Sequence, residues 1–153
     1  MRAADARPGQ ADASKPIALA AQRARVLLAE DNPINQEIAR AVLVAAGHMV
    51  DVVDDGAQAV AAVQREAYDL ILMDVQMPVM DGLTACERIR GLFGPLGQVP
   101  IVALTANVLP HQVEQFRAAG MNDHVGKPFK RETLLAVIDR VLGQFRPTSQ
   151  SAA

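Results

Sequence analysis

The stretch Leu70-Ile71-Leu72-Met73-Asp74 decides the fold class of this chain. Four consecutive apolar residues are typical of a strand that is covered on both faces, as the strands of parallel sheets are. The run ends at a carboxylate, and the loop that follows carries Pro78 and Gly82. We therefore predict a buried strand over 70–73, a loop, and a helix that begins near Asp81 and runs to about Arg90.

The same alternation of short apolar runs and amphipathic segments extends in both directions. The other predicted strands cover 25–29, 49–53, 101–104 and 122–125; the other predicted helices run from 33 to Gly47, around 59–66, and over 110–119 and 131–142. Five β–α units of this kind give a parallel sheet with helices on both faces. We predict an α/β fold with a doubly wound, five-stranded parallel sheet, in which ligands bind at the carboxyl ends of the strands.

The first predicted helix carries two separate signals. Asn32 supplies an N-cap and Pro33 a first helical position. Apolar residues then recur at helical spacing: Ile34, Ile38, Ala41, Val42 and Ala45. Val44 and Ala45 extend this apolar face beyond what one core contact needs, which indicates a docking surface for a partner helix. An alanine-rich composition with scattered surface apolar residues explains the same pattern.

Three single side chains have simpler interpretations. Cys86 lies on the packed side of the third predicted helix and, as the only cysteine, excludes an internal disulfide and a cysteine-based zinc site. His48 follows the helix end at Gly47, and His111 follows Pro110. Neither has a partner histidine at ligand spacing, so we predict that both lie on the surface.

The composition is that of a globular chain of ordinary domain size. Half of the 153 residues are hydrophobic, 3% are aromatic and the formal net charge is −2, which argues against direct nucleic-acid binding. No apolar run approaches the roughly 20 residues that span a bilayer, and charges interrupt the N-terminal segment, so we expect a cytoplasmic protein. Residues 1–24 are predicted to be a linker or tail, 25–143 the domain, and 144–153 a C-terminal tail.

Polar side chains directly follow four of the predicted strands. They are Glu30 and Asp31, Asp74, Thr105 and Lys127. Because the carboxyl ends of parallel strands share one edge of the sheet, these side chains converge. Two unit charges 4 Å apart interact by about 4 kcal/mol at an effective dielectric near 20, so three carboxylates need cations beside them. Lys127 supplies one, and we predict Mg²⁺ as the other because it binds a few carboxylates and keeps several waters.

A carboxylate, an ammonium and a hydroxyl around a metal fit the acceptance of a phosphoryl group on oxygen. The metal and Lys127 would neutralise the phosphoryl oxygens, in a reaction that depends mostly on positioning and electrostatics. Asp74 is the best candidate nucleophile because it is central in this group, and the loop over 77–82 stiffens the turn beside it.

Four motifs carry a resemblance to a known family. They are Leu28-Ala29-Glu30-Asp31-Asn32, Met73-Asp74-Val75-Gln76-Met77-Pro78-Val79-Met80-Asp81-Gly82, Ala103-Leu104-Thr105-Ala106 and Gly126-Lys127-Pro128-Phe129. Through them, residues 24–143 resemble the receiver domain of two-component response regulators. The resemblance implies a flavodoxin-like sheet with the strand order 2-1-3-4-5.

The resemblance also implies a role for each site residue. Asp74 would be the phosphoryl acceptor, and the Mg²⁺ ligands would be Asp31, Asp74 and the main-chain carbonyl of Gln76, with Glu30 acting through water. Thr105 and Lys127 would bind the phosphoryl oxygens. The Lys127–Pro128 bond is expected to be cis.

Three further positions depend on the same resemblance. His124 occupies the family's switch position, where an aromatic residue is usual, and Thr105 is the other switch residue. Gln76 and Asn107 occupy the positions from which the family tunes hydrolysis. The resemblance thus implies self-catalysed phosphoryl transfer and slow autodephosphorylation, without turnover of an external substrate.

Two runs, Asp31-Asn32-Pro33-Ile34-Asn35-Gln36 and Met121-Asn122-Asp123-His124, are most similar to the receivers of hybrid sensor histidine kinases. That similarity implies a histidine kinase or histidine phosphotransfer domain as the donor, residues 1–24 as a tether, and a place in the cytoplasmic part of a membrane-bound sensor. An output partner is expected at the helix 4–strand 5–helix 5 face, and a phosphorylation-dependent dimer is left open.

Two other functions compete with this interpretation. A receiver-like binding module that is never phosphorylated is disfavoured because Glu30, Asp31, Asp74, Thr105 and Lys127 are all present. A phosphohydrolase of the haloacid dehalogenase type needs a second acid two residues after the nucleophile, and Gln76 occupies that position.

Overall fold

The computed structural model describes residues 23–145, which form a five-stranded parallel sheet in the order β2-β1-β3-β4-β5. The strands are β1 Arg25–Ala29, β2 Met49–Val53, β3 Leu70–Asp74, β4 Ile101–Thr105 and β5 Asp123–Gly126. The helices are α1 Pro33–Ala45, α2 Gly56–Arg65, α3 Gly82–Arg90, α4 Pro110–Ala119 and α5 Arg131–Phe145, with a 3-10 turn over Gly94–Gln98. The predicted fold class and strand order are confirmed. Residues 1–22 and 146–153 of the predicted tails lie outside the described range.

Two apolar layers cover the sheet, one on each face. Helices α1 and α5 pack on the first face through residues that include Leu43, Leu134 and Ile138. Helices α2, α3 and α4 pack on the second, through residues that include Ile89 and Phe116. Full burial of one such side chain contributes about 1.5–3 kcal/mol, so these layers fix the strands whose ends carry the site. Within residues 23–145, no helix is both long and apolar enough to cross a bilayer.

Helix starts follow the capping residues of the sequence. The Asn32 side chain accepts hydrogen bonds from the N–H groups of Ile34 and Asn35, at 2.8 and 3.3 Å, and Pro33 opens α1 as predicted. Asp55 caps α2 by accepting from the N–H of Gln58 at 2.8 Å. This cap starts α2 at Gly56, three residues before the apolar pattern indicated.

The core-facing side of α1 differs from the predicted apolar face. Ala39 and Leu43 are buried, and of the residues in the predicted face only Val42 packs against the core. The others, Ile34, Ile38, Ala41 and Ala45, are exposed, as is Val44. The helix carries two apolar stripes, and periodicity alone does not say which of them faces the sheet. An apolar stripe therefore faces solvent.

The prediction that His48 lies on the surface is wrong. His48 is 5% exposed, and its Nδ1 accepts a hydrogen bond from the N–H of Ala24 at 3.0 Å. Gly47, with a φ of 96°, turns the chain after α1, and the next side chain lies under the start of β1. A buried main-chain N–H needs an acceptor, and the imidazole supplies it. His111 is exposed and Cys86 buried, as predicted.

Gly82 marks a close approach of α3 to β3. A Cβ at this position would lie 2.2 Å from the main-chain oxygen of Asp74. We expect Gly82→Ala to lower the free energy of unfolding by about 1–3 kcal/mol, because main-chain atoms must shift. Gly143→Ala is the matched control, since its Cβ would meet nothing within 4 Å, and it should raise stability by up to about 1 kcal/mol. Urea denaturation measures both; similar effects would contradict the close approach.

Candidate functional site

An open cleft of about 390 Å³ lies at the carboxyl edge of the sheet. Seven of the predicted site residues line it: Glu30, Asp31, Asp74, Gln76, Thr105, Asn107 and Lys127. The eighth, His124, does not. A larger groove of about 540 Å³ runs along the edge strand β2 and contains none of these residues. The predicted convergence at the strand ends therefore identifies the smaller cleft as the candidate site.

Lys127 forms the electrostatic centre of the cleft. Its Nζ lies 2.9 Å from Oε1 of Glu30 and 2.9 Å from Oδ2 of Asp74. Both carboxylates are almost completely buried. Burial by itself lowers the pKa of the Lys127 ammonium, but the two carboxylates outweigh it and raise the pKa above its ordinary value. Lys127 thus carries a full positive charge at neutral pH.

For Asp74, the effect of burial on the pKa outweighs the effect of the neighbouring ammonium. Burial raises the pKa of its carboxyl group to about 6, and the charge of Glu30 adds to this effect. Lys127 and the N–H of Gln76, which donates to Oδ1 at 3.1 Å, act in the other direction without cancelling it. The carboxylate is therefore ionised at neutral pH but poorly compensated, which favours a cation beside it.

The cleft offers a donor set for such a cation. One carboxylate oxygen each from Glu30, Asp31 and Asp74 lies within 4.8 Å of the others. Glu30 and Asp74 are buried, whereas Asp31 is exposed at the mouth. All three donors are hard oxygens, and the open side leaves room for water, as Mg²⁺ prefers. The residues present thus fit a magnesium ion, with Gln76 beside them in the lining.

Thr105 lies in the cleft, but its hydroxyl is bound within its own loop. Oγ1 donates to the main-chain oxygen of Asn107 at 2.9 Å and accepts from the N–H of Asn107 at 3.0 Å. Asn107 is therefore a direct partner of Thr105 in this state.

His124 lies in β5 outside the cleft. Its ring packs against Phe116 of α4, with centroids 6.4 Å apart. The neighbouring Asp123 forms an ion pair with Arg140 of α5 at 2.6 Å, so this part of β5 contacts both flanking helices. The Lys127–Pro128 bond is cis, as the resemblance implied.

Sequence reasoning missed several amides that line the cleft. Gln112 and Gln115 reach it from α4, and Asn35 reaches it from α1. The signal for the first two is their spacing of three on one helix, which places them on one face. Asn35 belongs to the run Asp31-Asn32-Pro33-Ile34-Asn35-Gln36. Its Nδ2 lies 3.5 Å from Oε2 of Glu30.

The raised pKa of Asp74 predicts an unusual pH dependence of stability. The folded state binds this proton more tightly than the unfolded chain, so the Asp74 contribution is present below pH about 4 and is lost as pH rises through about 6. In metal-free buffer, we expect the stability of the parent relative to Asp74→Asn to fall by up to about 3 kcal/mol over this range. Urea denaturation at several pH values measures the difference.

Asp139→Asn makes the same substitution at an exposed position of α5, outside the cleft. A similar change in pH dependence in this variant would assign the effect to the substitution rather than to Asp74. A difference between parent and Asp74→Asn that stays flat or grows with pH would contradict the raised pKa.

Comparison with known proteins places most of the described residues in one family. A model of the response regulator receiver domain matches residues 26–139. Two-component response regulator ORR41 of Oryza sativa subsp. japonica is 46% identical over 78% of this chain and 95% of that protein. Sensor protein GacS of Pseudomonas syringae pv. syringae is 42% identical over 78% of this chain. The match covers only 14% of GacS, so this chain spans a small part of that relative.

Two solved structures are similar in both sequence and shape. The receiver domain of sensor histidine kinase PA1611 from Pseudomonas aeruginosa PAO1, with magnesium in its active site cleft, is 46% identical with a TM-score of 0.72 over 78% of this chain and 98% of that one. The receiver domain of Saccharomyces cerevisiae Ssk1, solved with the histidine phosphotransfer protein Ypd1, is 30% identical with a TM-score of 0.72 over 78% and 88%. This chain therefore belongs to the response regulator receiver domain family of two-component signalling.

Proposed function

We propose that this receiver domain accepts a phosphoryl group on Asp74 in a Mg²⁺-dependent reaction. The donor is a histidine kinase or a histidine phosphotransfer domain, and the modified domain regulates a partner. The observation that carries the proposal is the environment of Asp74, whose carboxylate contacts Lys127 and lies within a cluster of two more carboxylates. Receiver domains as a family act in signalling, which agrees with this role.

The chemistry assigned to the chain is a single displacement. A carboxylate oxygen of Asp74 attacks phosphorus, the P–N bond to the donor imidazole breaks, and that nitrogen leaves with the electron pair. An acyl phosphate on Asp74 results. A Mg²⁺ ion held in the cluster of Glu30, Asp31 and Asp74 would supply positive charge against that of the phosphoryl group.

The chain's own residues supply the rest of the positioning. The N–H of Gln76 holds Oδ1 of Asp74, and Lys127 holds Oδ2. As negative charge arrives with the phosphoryl group, Lys127 is the cation within reach to bind one of its oxygens. Thr105 is the hydroxyl donor of the cleft and binds another after it leaves Asn107.

The exposed stripe of α1 is the surface proposed for docking the donor. Ile34 is 69% and Ile38 47% exposed, and the stripe begins directly after the cleft residues Asp31 and Asn32. An apolar helix face beside a reactive carboxylate suits a helical domain that presents a histidine. The similar Ssk1 receiver was solved bound to a histidine phosphotransfer protein, which supports this class of partner.

The face formed by α4, β5 and α5 is the proposed output surface. His124 and Asp123 contact both flanking helices there, and Val108 and Leu109 are half exposed just before α4. A shift of the β4–α4 loop on phosphorylation changes this surface. A partner that binds one of the two loop conformations more tightly then responds to the phosphorylation state.

Intact mass spectrometry tests the acceptor. After incubation with acetyl phosphate and Mg²⁺, the parent should gain the mass of one phosphoryl group, and omission of Mg²⁺ should abolish the gain. Asp74→Asn should gain nothing, because an amide is not a nucleophile for this step. Asp139→Asn, on the outer side of α5, is the matched control and should behave as the parent.

Two outcomes would contradict the proposal. A phosphoryl mass gain that persists in Asp74→Asn would show that another residue is the acceptor. A parent that binds Mg²⁺ but gains no phosphoryl group, from acetyl phosphate or from a phosphorylated histidine phosphotransfer domain, would favour a module that signals by contact alone.

Ile38→Glu tests the docking stripe. A charge in an apolar contact must be desolvated, so transfer from a phosphorylated histidine phosphotransfer domain should slow about 10-fold or more. Transfer from acetyl phosphate should not change. Met49→Glu is the control, because Met49 is 61% exposed at the amino end of the edge strand β2, away from the cleft. Equal slowing with both donors, or by both variants, would contradict docking on α1.

A further inference from the structure

The pair Asn35-Gln36 belongs to a motif that the acceptor chemistry does not use. Nε2 of Gln36 donates to the main-chain oxygen of Glu30 at 2.5 Å and to Oδ1 of Asp54 at 2.8 Å. The amide of Gln36 thus joins α1 to the end of β1 and to the turn after β2. Its two N–H hydrogens match the two acceptors.

We propose that Gln36 is a positioning residue for the metal cluster: it fixes the peptide unit between Glu30 and Asp31, and thereby the placement of the Asp31 carboxylate. This inference deepens the proposed Mg²⁺-dependent function and rests on it.

The need for such an anchor follows from the surroundings of Asp31. Its side chain is exposed at the cleft mouth and makes no hydrogen bond among residues 23–145. The position of its carboxylate is therefore set by the main chain on either side. On the C-terminal side, the N–H of Asn32 donates to Oε2 of Glu30 at 3.1 Å. On the N-terminal side, Gln36 holds the carbonyl of the peptide unit that leads into Asp31.

Asp54 fixes the orientation of the Gln36 amide. A carboxylate only accepts hydrogen bonds, so the nitrogen of the amide must face it. Asp54 is itself fastened, since its N–H donates to Oε1 of Gln58 at 3.1 Å. The charge of Asp54 strengthens its bond to the amide. The Gln36 amide that binds the Glu30 carbonyl is therefore itself held in place by the turn after β2.

Gln36→Met keeps the length of the side chain and its neutral charge but removes the donor. Titration calorimetry with Mg²⁺ alone should show about a 10-fold weaker affinity, the lower end for loss of a residue that orients a ligand. Gln36→His keeps a neutral donor at pH 8 and should recover part of the loss. Gln64→Met makes the same change at an exposed glutamine of α2 and should bind as the parent.

Phosphorylation by acetyl phosphate separates positioning from a general structural effect. At saturating Mg²⁺, the rate for Gln36→Met should return to within about 2-fold of the parent, so that the defect lies in the Mg²⁺ concentration required. All variants are assayed at a temperature where circular dichroism shows them folded.

Each outcome decides between the two proposals. Unchanged Mg²⁺ affinity in Gln36→Met, or an equal loss in Gln64→Met, overturns the role of Gln36 and leaves the acceptor chemistry intact. A second result would also overturn the positioning role of Gln36. It is weaker Mg²⁺ binding in Gln36→Met, with no recovery in Gln36→His and a low phosphorylation rate at saturating Mg²⁺, which indicates a general distortion of the domain. A parent that binds Mg²⁺ but is never phosphorylated overturns the proposed function, while the affinity comparison still tests Gln36.

Discussion

The contacts of one ammonium with two buried carboxylates are the interaction on which the cleft depends. Lys127 follows β5, while Glu30 follows β1 and Asp74 ends β3, so their ion pairs join three strand ends across the sheet. Removing one partner of a buried pair costs about 3–5 kcal/mol, yet such pairs add little net stability compared with apolar residues. Their presence is therefore better explained by chemistry than by folding. Three carboxylates against one ammonium leave the cleft negative, and this imbalance favours a cation beside them.

Main-chain hydrogen bonds hold the loop that follows Asp74. The N–H of Gly82 donates to the Val75 oxygen at 2.9 Å, and the N–H of Gly56 donates to the Met80 oxygen at 3.0 Å. Between these bonds, Val79 has a φ of 67°, a conformation that costs a branched residue about 1–3 kcal/mol. The two layers of helices supply the stability that maintains this strained turn.

Sequence patterns predicted the strand ends well because they report on local chemistry. A run such as Leu70-Ile71-Leu72-Met73 has one stable environment, a sheet covered on both faces, and the residue after it must lie at the sheet edge. Seven of eight predicted site residues accordingly line one cleft. Their chemical roles remain predictions. The resemblance to receiver domains depended on four motifs at these strand ends, and the family is confirmed.

The sequence did not predict features that depend on which residues from other elements pack against a side chain. Helix α1 has two apolar stripes, and only the packing of β1 and α5 determines that Leu43 faces inward and Ile38 outward. His48 is buried because a main-chain N–H of Ala24 needs an acceptor, which no spacing rule reveals. The bond of Gln36 to the Glu30 oxygen likewise joins residues whose approach is set by the turn between β1 and α1.

The Thr105 hydroxyl links the proposed acceptor to the proposed output surface. It has one hydrogen, which it donates to the Asn107 oxygen, so it cannot bind a phosphoryl oxygen without breaking that bond. The loop released in this way leads into α4, whose N-cap residue, Leu109, makes no side-chain capping hydrogen bond. There, Oε1 of Gln112 is buried without a hydrogen-bond partner among the described residues. One exchanged hydrogen bond contributes about 0.5–1.5 kcal/mol, and 1.4 kcal/mol changes an equilibrium tenfold. In the proposed mechanism, phosphorylation therefore shifts the start of α4 by a modest factor, and the partner proposed at α4, β5 and α5 supplies the remaining free energy for the switch.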